Sequence, residues 1–144
     1  MATMKLEIVT AEKLVYSEDV SGVVAPGMEG ELGILPHHAP LLTILQPGEL
    51  RIMKEGQADS YLAVTGGFLE VMANKVVVLA NAAERAEEID EARAQEAVKR
   101  AQERLAHRGA DMDLERALGS MRRAEARLKV VRRRRHPPVP GGGG

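Results

Sequence analysis

The first eighty residues alternate apolar and polar positions in short runs, which is the pattern of half-buried β-strands. We expect strands at residues 6–10, 20–25, 41–45, 50–54, 61–65, 68–72 and 76–80. Turn residues separate the runs, for example Pro26-Gly27, Pro47-Gly48 and Gly66-Gly67. Short strands at this regular spacing indicate an antiparallel sandwich or barrel.

After Asn81 the chain becomes rich in Ala, Glu, Arg and Gln, and its apolar positions recur with the period of an α-helix. Asp90 is a good N-cap for a first helix. The apolar stripe of this helix consists of Ala94, Val98, Ala101 and Leu105. A break follows at residues 107–112, where Gly109 suits a left-handed C-terminal cap.

A second helix is predicted to follow, with Asp113 as its cap. Its apolar positions form a coiled-coil seam of Leu114, Ala117, Met121, Ala124, Leu128 and Val131. Two helices joined by about six residues fold back as an antiparallel hairpin. The seam is rich in alanine, so we expect a hairpin of marginal stability, which is suited to switching.

These patterns predict an α+β chain with three parts. An antiparallel β-sandwich occupies residues 1–86, an antiparallel two-helix hairpin occupies residues 87–133, and a disordered tail occupies residues 134–144. The charges divide along the same boundary. Residues 1–86 carry 6 Lys/Arg and 11 Asp/Glu, whereas residues 87–144 carry 14 and 10. Such segregation indicates two modules with different partners.

The composition excludes several classes of site. The chain has no cysteine, so disulfides, thiolate metal sites and a cysteine nucleophile are ruled out. Its longest apolar runs are too short to cross a bilayer. The phosphate-binding pattern G-x-x-x-x-G-K-S/T is missing, and no Ser, His and acid grouping has a recognisable context, so we expect no catalysis. His37 and His38 are adjacent in an extended segment and point to opposite sides, which disfavours a metal site.

One alternative function is a nucleic-acid-binding module. Residues 116–135 carry nine Lys/Arg and a single acid, Glu125, and such a run can neutralise phosphates. The acidic β-rich half and the aromatic content of 2% argue against this alternative.

Three strings resemble the epsilon subunit of bacterial F-type ATP synthases. They are EGELGILPHHAPLL at residues 29–42, GGFLEV beginning at Gly66, and AERAEEIDEARA at residues 83–94. The resemblance implies a ten-stranded sandwich docked on the gamma subunit and the c-ring, followed by a helical hairpin. It also implies a non-catalytic rotor subunit, peripheral to the cytoplasmic face of the inner membrane. In that family the hairpin can extend into the catalytic alpha/beta head and inhibit ATP hydrolysis.

The resemblance places Glu31 and His38 where the family touches the c-ring and rotor. Both residues fall in the predicted loop of residues 29–38, where Gly30 and Gly33 permit tight turns and Pro36 stiffens the exit. A solvated hairpin without a partner is the alternative interpretation.

The segment I-D-E-A-R-A at residues 89–94 is similar to the family's motif for ATP binding. Carried over position by position, Glu84 and Asp90 would address the base or ribose or order the motif, and several arginines would contact phosphates. The ATP-binding residues implied by the resemblance are Glu84, Ile89, Asp90, Arg93, Ala94, Arg100, Arg123 and Arg127. Whether Mg²⁺ accompanies the nucleotide is left open.

The residues themselves allow two interpretations of this segment. Arginines on neighbouring helix faces repel each other unless an anion lies between them, and a triphosphate is such an anion. Alternatively, Asp90 is only a cap and the arginines are solvated partners of Glu91, Glu96 and Glu103.

Overall fold

The computed structural model of the chain describes residues 2–106 and 114–135. The strands are β1 Met4–Val9, β2 Leu14–Val20, β3 Gly22–Gly27, β4 Gly30–Ile34, β5 Leu41–Met53, β6 Ser60–Met72, β7 Lys75–Ala80 and β8 Ala83–Arg85. A short 3₁₀ helix, Ala86–Glu88, precedes α1 Glu91–Ala106 and α2 Leu114–Arg135.

The strands form a continuous sheet in the order β2-β1-β7-β6-β5-β3-β4, with β8 also paired to β6. Every pairing is antiparallel except that of β1 with β7, which is parallel. The parallel pair is a departure from the purely antiparallel sandwich that the sequence predicts. This pairing places β1 beside β7 and completes one layer of the sandwich.

The two longest strands, β5 and β6, bend together so that the sheet folds into two facing layers. Inward side chains of β6 are even-numbered before the bend, at Leu62 and Val64, and odd-numbered after it, at Leu69 and Val71. The change of side occurs at Gly66 and Gly67, whose φ angles are +110° and +138°. Residues with a Cβ rarely adopt such angles.

One layer contains β1, β2, β7, the first half of β5 and the second half of β6, and the other layer contains β3, β4, β8 and the remaining halves. Counted as halves, the two bent strands bring the eight observed strands to the ten that the resemblance implies. Between the layers lies a single apolar core of Val, Leu, Ile, Met and Ala side chains with Tyr16.

The predicted strands need two kinds of correction. The predicted strands 41–45 and 50–54 are one strand, as are 61–65 and 68–72, because hydrogen bonding continues through the bends. The predicted strands also do not include β2, β4 and the short β8. Charged residues in β2 and glycines in β4 weaken their local strand signal, and pairing with neighbouring strands overrides it.

The C-terminal helices pack against each other as an antiparallel pair. Arg132, near the end of α2, lies 3.9 Å from Glu91 at the start of α1. Ala94 and Ala101 of the predicted α1 stripe are buried, as are Ala117, Ala124 and Val131 of the predicted α2 seam. Leu114, in contrast, is 44% exposed, so it does not belong to the seam.

Helix α2 has a second buried side that the seam does not predict. Ala126 and Val130 are buried, and Val130 belongs to an apolar cluster with Ala63 of β6 and Ile89. The helix therefore packs on the outer face of the sandwich as well as on α1. A second contact surface of this kind depends on tertiary structure and leaves no separate periodicity.

Some predictions concern residues that the structure does not describe. The helix break at residues 107–112, the Gly109 cap and the Asp113 cap lie outside the described residues. The predicted tail begins at residue 134, whereas α2 continues to Arg135. Residues 136–144 of that tail also lie outside the described part of the chain.

Candidate functional site

The motif at residues 89–94 forms the start of α1 and has both a capping and a packing role. The Oδ1 atom of Asp90 accepts a hydrogen bond from the backbone N–H of Arg93 at 3.2 Å, as expected for an N-cap. Ile89 and Ala94 are buried in the cluster that joins α2 to the sandwich. These two apolar members of the motif therefore fix the helix start against its neighbours.

Glu84 and Arg127 come together although they are distant in sequence. The Nε atom of Arg127 lies 2.8 Å from Oε1 of Glu84, and its Nη2 donates to Oε2 at 3.1 Å. Both side chains are about 30% exposed, so the pair is partly shielded from water. The contact joins α2 to β8, next to the start of α1.

The remaining arginines of the predicted set lie on the helix surfaces. Arg93 is exposed. Arg100 lies 4.0 Å from Glu96, one turn earlier on α1, and Arg123 donates to the hydroxyl of Ser120 at 3.0 Å. The exposed Arg93, Arg100 and Arg123 are accessible to a ligand, and Arg127 is held by Glu84.

Glu31 and His38 are both exposed and lie beyond the turn between β3 and β4. Glu31 is in strand β4, opposite Pro26, so the predicted loop of residues 29–38 is partly a strand. The Nδ1 atom of His38 lies 2.7 Å from the carbonyl oxygen of Ala39. Its neighbour His37 has a φ angle of +66°, and its N–H donates to the Oδ1 atom of Asn74 at 2.9 Å. Asn74 thus fixes the loop that carries His38.

A row of large apolar side chains covers the outer face of the layer that contains β7, and we call it the apolar patch. It consists of Leu42, Ile44, Phe68, Met72 and Leu79, each at least half exposed. Ile44 lies opposite Phe68, and Phe68 lies opposite Leu79, so the side chains stand on one face. Helix α2 packs on the other layer and leaves this patch open.

The apolar patch is not among the sites predicted from the sequence. A signal was present, because the runs LLTIL at residues 41–45 and KVVVLA at residues 75–80 are apolar at nearly every position. A strand with one face in water should alternate, so these runs indicate burial on both faces. A contiguous exposed patch of this kind is typical of a protein interface.

The described part of the chain shows neither a metal centre nor a membrane-spanning helix. No three His, Asp or Glu side chains within residues 2–106 and 114–135 are grouped to hold a metal ion. No helix in these ranges is both long enough and apolar enough to cross a membrane.

Both parts of the chain match known protein families. Residues 3–86 match the family described as "ATP synthase, Delta/Epsilon chain, beta-sandwich domain". Residues 87–132 match "ATP synthase, Delta/Epsilon chain, long alpha-helix domain".

Curated relatives and a solved structure show the same likeness. The chain is 57% identical to the ATP synthase epsilon chain of Dehalococcoides mccartyi over 96% of its own length and 100% of the relative's. It is 52% identical to that of Herpetosiphon aurantiacus, over 92% and 97% of the two chains. A chain in the cryo-EM structure of the Euglena gracilis mitochondrial ATP synthase (OSCP/F1/c-ring) has a TM-score of 0.69 at 22% identity, covering 94% of this chain and 81% of that one. At that identity the last comparison bears on the fold alone.

Proposed function

Because the chain belongs to the ATP synthase epsilon chain family, we propose that it is the epsilon subunit of an F-type ATP synthase. In this role it is a non-catalytic, peripheral subunit of the central stalk and links the catalytic head to the c-ring. Proton transport and ATP synthesis belong to the whole complex.

The apolar patch is the observation that carries the rotor role. An exposed row of five large apolar side chains on a rigid sheet is costly in water, so it favours a permanent partner. The gamma subunit is the partner proposed for this face. Glu31 and His38, which are exposed beyond the β3–β4 turn, are proposed to face the c-ring and rotor.

We expect Phe68→Ala to weaken binding to the gamma subunit about tenfold or more, because Phe68 lies in the middle of the patch. The dissociation constant for the purified gamma subunit, determined by surface plasmon resonance, provides the measurement. Leu14→Ala is the control, since Leu14 is also at least half exposed but lies outside the patch. Equal binding by both variants would contradict docking through this face.

The proposed regulatory role rests on the thin contact between α2 and its neighbours. The buried side chains of α2 are small, namely Ala117, Ala124, Ala126, Val130 and Val131. Small side chains bury little apolar area, so the helix can leave the sandwich at modest cost in free energy. We propose that the released helices extend into the alpha/beta head and inhibit ATP hydrolysis.

ATP is the proposed ligand of the docked hairpin. Its phosphates would meet Arg93, Arg100 and Arg123 and would compete with Glu84 for Arg127. A ligand that binds only the docked form increases the population of that form. ATP would therefore oppose the inhibitory extended form.

A further inference from the structure

Near the C-terminal end of α2, two basic side chains contact one carboxylate of the sandwich, that of Glu49. Arg133 donates from Nε to Oε2 and from Nη2 to Oε1 of Glu49, both at 3.1 Å. Lys129, one turn earlier on α2, places its Nζ atom 3.7 Å from Oε1 of Glu49. The guanidinium carbon of Arg133 also lies 4.7 Å from the ring centroid of Tyr61.

Several features distinguish this contact from an ordinary surface ion pair. The Glu49 side chain is only 10% exposed, so the carboxylate is largely shielded from water and salt. The paired hydrogen bonds fix the planar guanidinium group in two directions, and the Tyr61 ring adds a cation–π contact. Hydrogen bonding to Glu49 raises the pKa of Arg133 above its ordinary value, because the carboxylate stabilises the charged guanidinium group.

The adjacent residue on the helix makes a different contact. Arg132 is 56% exposed and reaches Glu91 of α1 at 3.9 Å. Loss of Arg132 therefore affects the contact between the helices, whereas loss of Arg133 affects the contact with the sandwich. The two arginines form a matched pair with the same charge and nearly the same place in sequence.

The Glu49 contact is also separate from the predicted nucleotide residues. Arg133 follows Arg127 by six residues, which is roughly 9 Å along a helix. Neither Glu49, Lys129 nor Arg133 belongs to the ATP-binding set implied by the resemblance. Exchange of Glu84 for a phosphate at Arg127 would leave the Glu49 contact in place.

We propose that Glu49, Tyr61 and Arg133, with Lys129, form a latch that holds the end of α2 on the sandwich without nucleotide. The latch determines how often the helix leaves the sandwich before any ligand binds, and ATP adds to it from a second point on the same helix. The regulatory meaning of the latch rests on the proposed function. The physical attachment does not, and it can be measured in the isolated chain.

Hydrogen–deuterium exchange of the full chain, without nucleotide, tests the latch. We expect Arg133→Gln and Glu49→Gln each to accelerate exchange of the amides in residues 126–133 by roughly five- to tenfold. Arg133→Lys keeps the charge but loses the paired hydrogen bonds, so an intermediate increase is expected. The double variant should exchange about as fast as the faster single variant, because both changes break one contact.

Arg132→Gln is the matched control, and we expect it to change the same exchange rates less than about twofold. Equal acceleration by Arg132→Gln and Arg133→Gln would overturn the latch. An equal acceleration in β1 and β7 would also overturn it, because the effect would then concern the whole fold.

The outcome for nucleotide binding is independent of this result. If the unaltered chain gives no binding heat with ATP while Arg133→Gln still frees α2, the ATP proposal fails and the latch stands. If ATP binds but Arg133→Gln and Arg132→Gln exchange alike, the latch fails and the ATP proposal stands.

Discussion

At the scale of single residues, Gly67 shows why a glycine pair is needed within the string GGFLEV. Its φ angle is +138°, and a Cβ built there would lie 2.1 Å from the carbonyl oxygen of Leu79 on β7. Backbone atoms of a paired strand cannot move aside without breaking the ladder. The bend of β6 therefore depends on the absence of a side chain.

Gly67→Ala should lower the free energy of unfolding by at least about 2 kcal/mol, because it combines backbone strain with a clash against β7. Equilibrium urea unfolding gives the measurement. Gly33→Ala serves as the control, since a Cβ there meets no atom within 4 Å and its change should stay within about 0.5 kcal/mol. A Gly67 variant as stable as the Gly33 variant would show that the bend tolerates a side chain.

The residues of the site differ in how far the sequence predicts them. The capping role of Asp90 depends on a backbone N–H three residues later, so local sequence is sufficient, and the structure confirms it. The Glu49–Arg133 contact joins residues 84 apart, and no local pattern indicates it. The ATP-binding set came from a family resemblance and stays a prediction.

At the scale of elements, the same contrast separates what periodicity predicts from what it misses. Repeats of two and of three to four residues correctly predict the sandwich, the pair of helices and three of the six seam residues as buried. They do not indicate where two predicted strands join across Pro47-Gly48, because turn residues can also bend a strand. Nor do they show that α2 has two partners, since Val130 lies outside the seam and is buried by the sandwich cluster.

Val130→Ala tests whether that second side of α2 holds the helix in place. Removing two buried carbon atoms should make docking of the helix less favourable by about 1.5–2.5 kcal/mol. The circular dichroism signal of the helices at 222 nm should then be lost at a lower urea concentration. Leu114→Ala, at an exposed site on the same helix, should leave the midpoint nearly unchanged; a similar shift for both would argue against the second contact.

At the scale of the whole molecule, an acidic sandwich carries a basic pair of helices. The sandwich segment has five more acids than bases, and the hairpin segment with its tail has four more bases than acids. The ion pairs of α2 with Glu49 and Glu84 are local cases of this general attraction. The proposed nucleotide would therefore compete with Glu84 of the sandwich for Arg127.

Calorimetric titration of the isolated protein with ATP tests whether the docked hairpin binds nucleotide. We expect Arg127→Ala and Arg93→Ala each to weaken binding about tenfold or more, because each would remove charge-assisted hydrogen bonds to phosphate. Arg132→Ala removes the same charge from α2 outside the predicted set and should change affinity less than about threefold. Absence of binding heat in the unaltered protein, or equal affinities for all variants, would contradict the proposed ATP site.

The parallel pairing of β1 with β7 has a consequence for the order of events during synthesis. Leu6 can pair with Val76 only after seventy further residues have been synthesised. The first strand to leave the ribosome therefore keeps one edge unpaired until β7 emerges, and nascent chains are vulnerable to aggregation during that interval. A chain that stops before residue 75 cannot close its sandwich, whereas a chain that stops after β8 retains every strand partner that the structure describes.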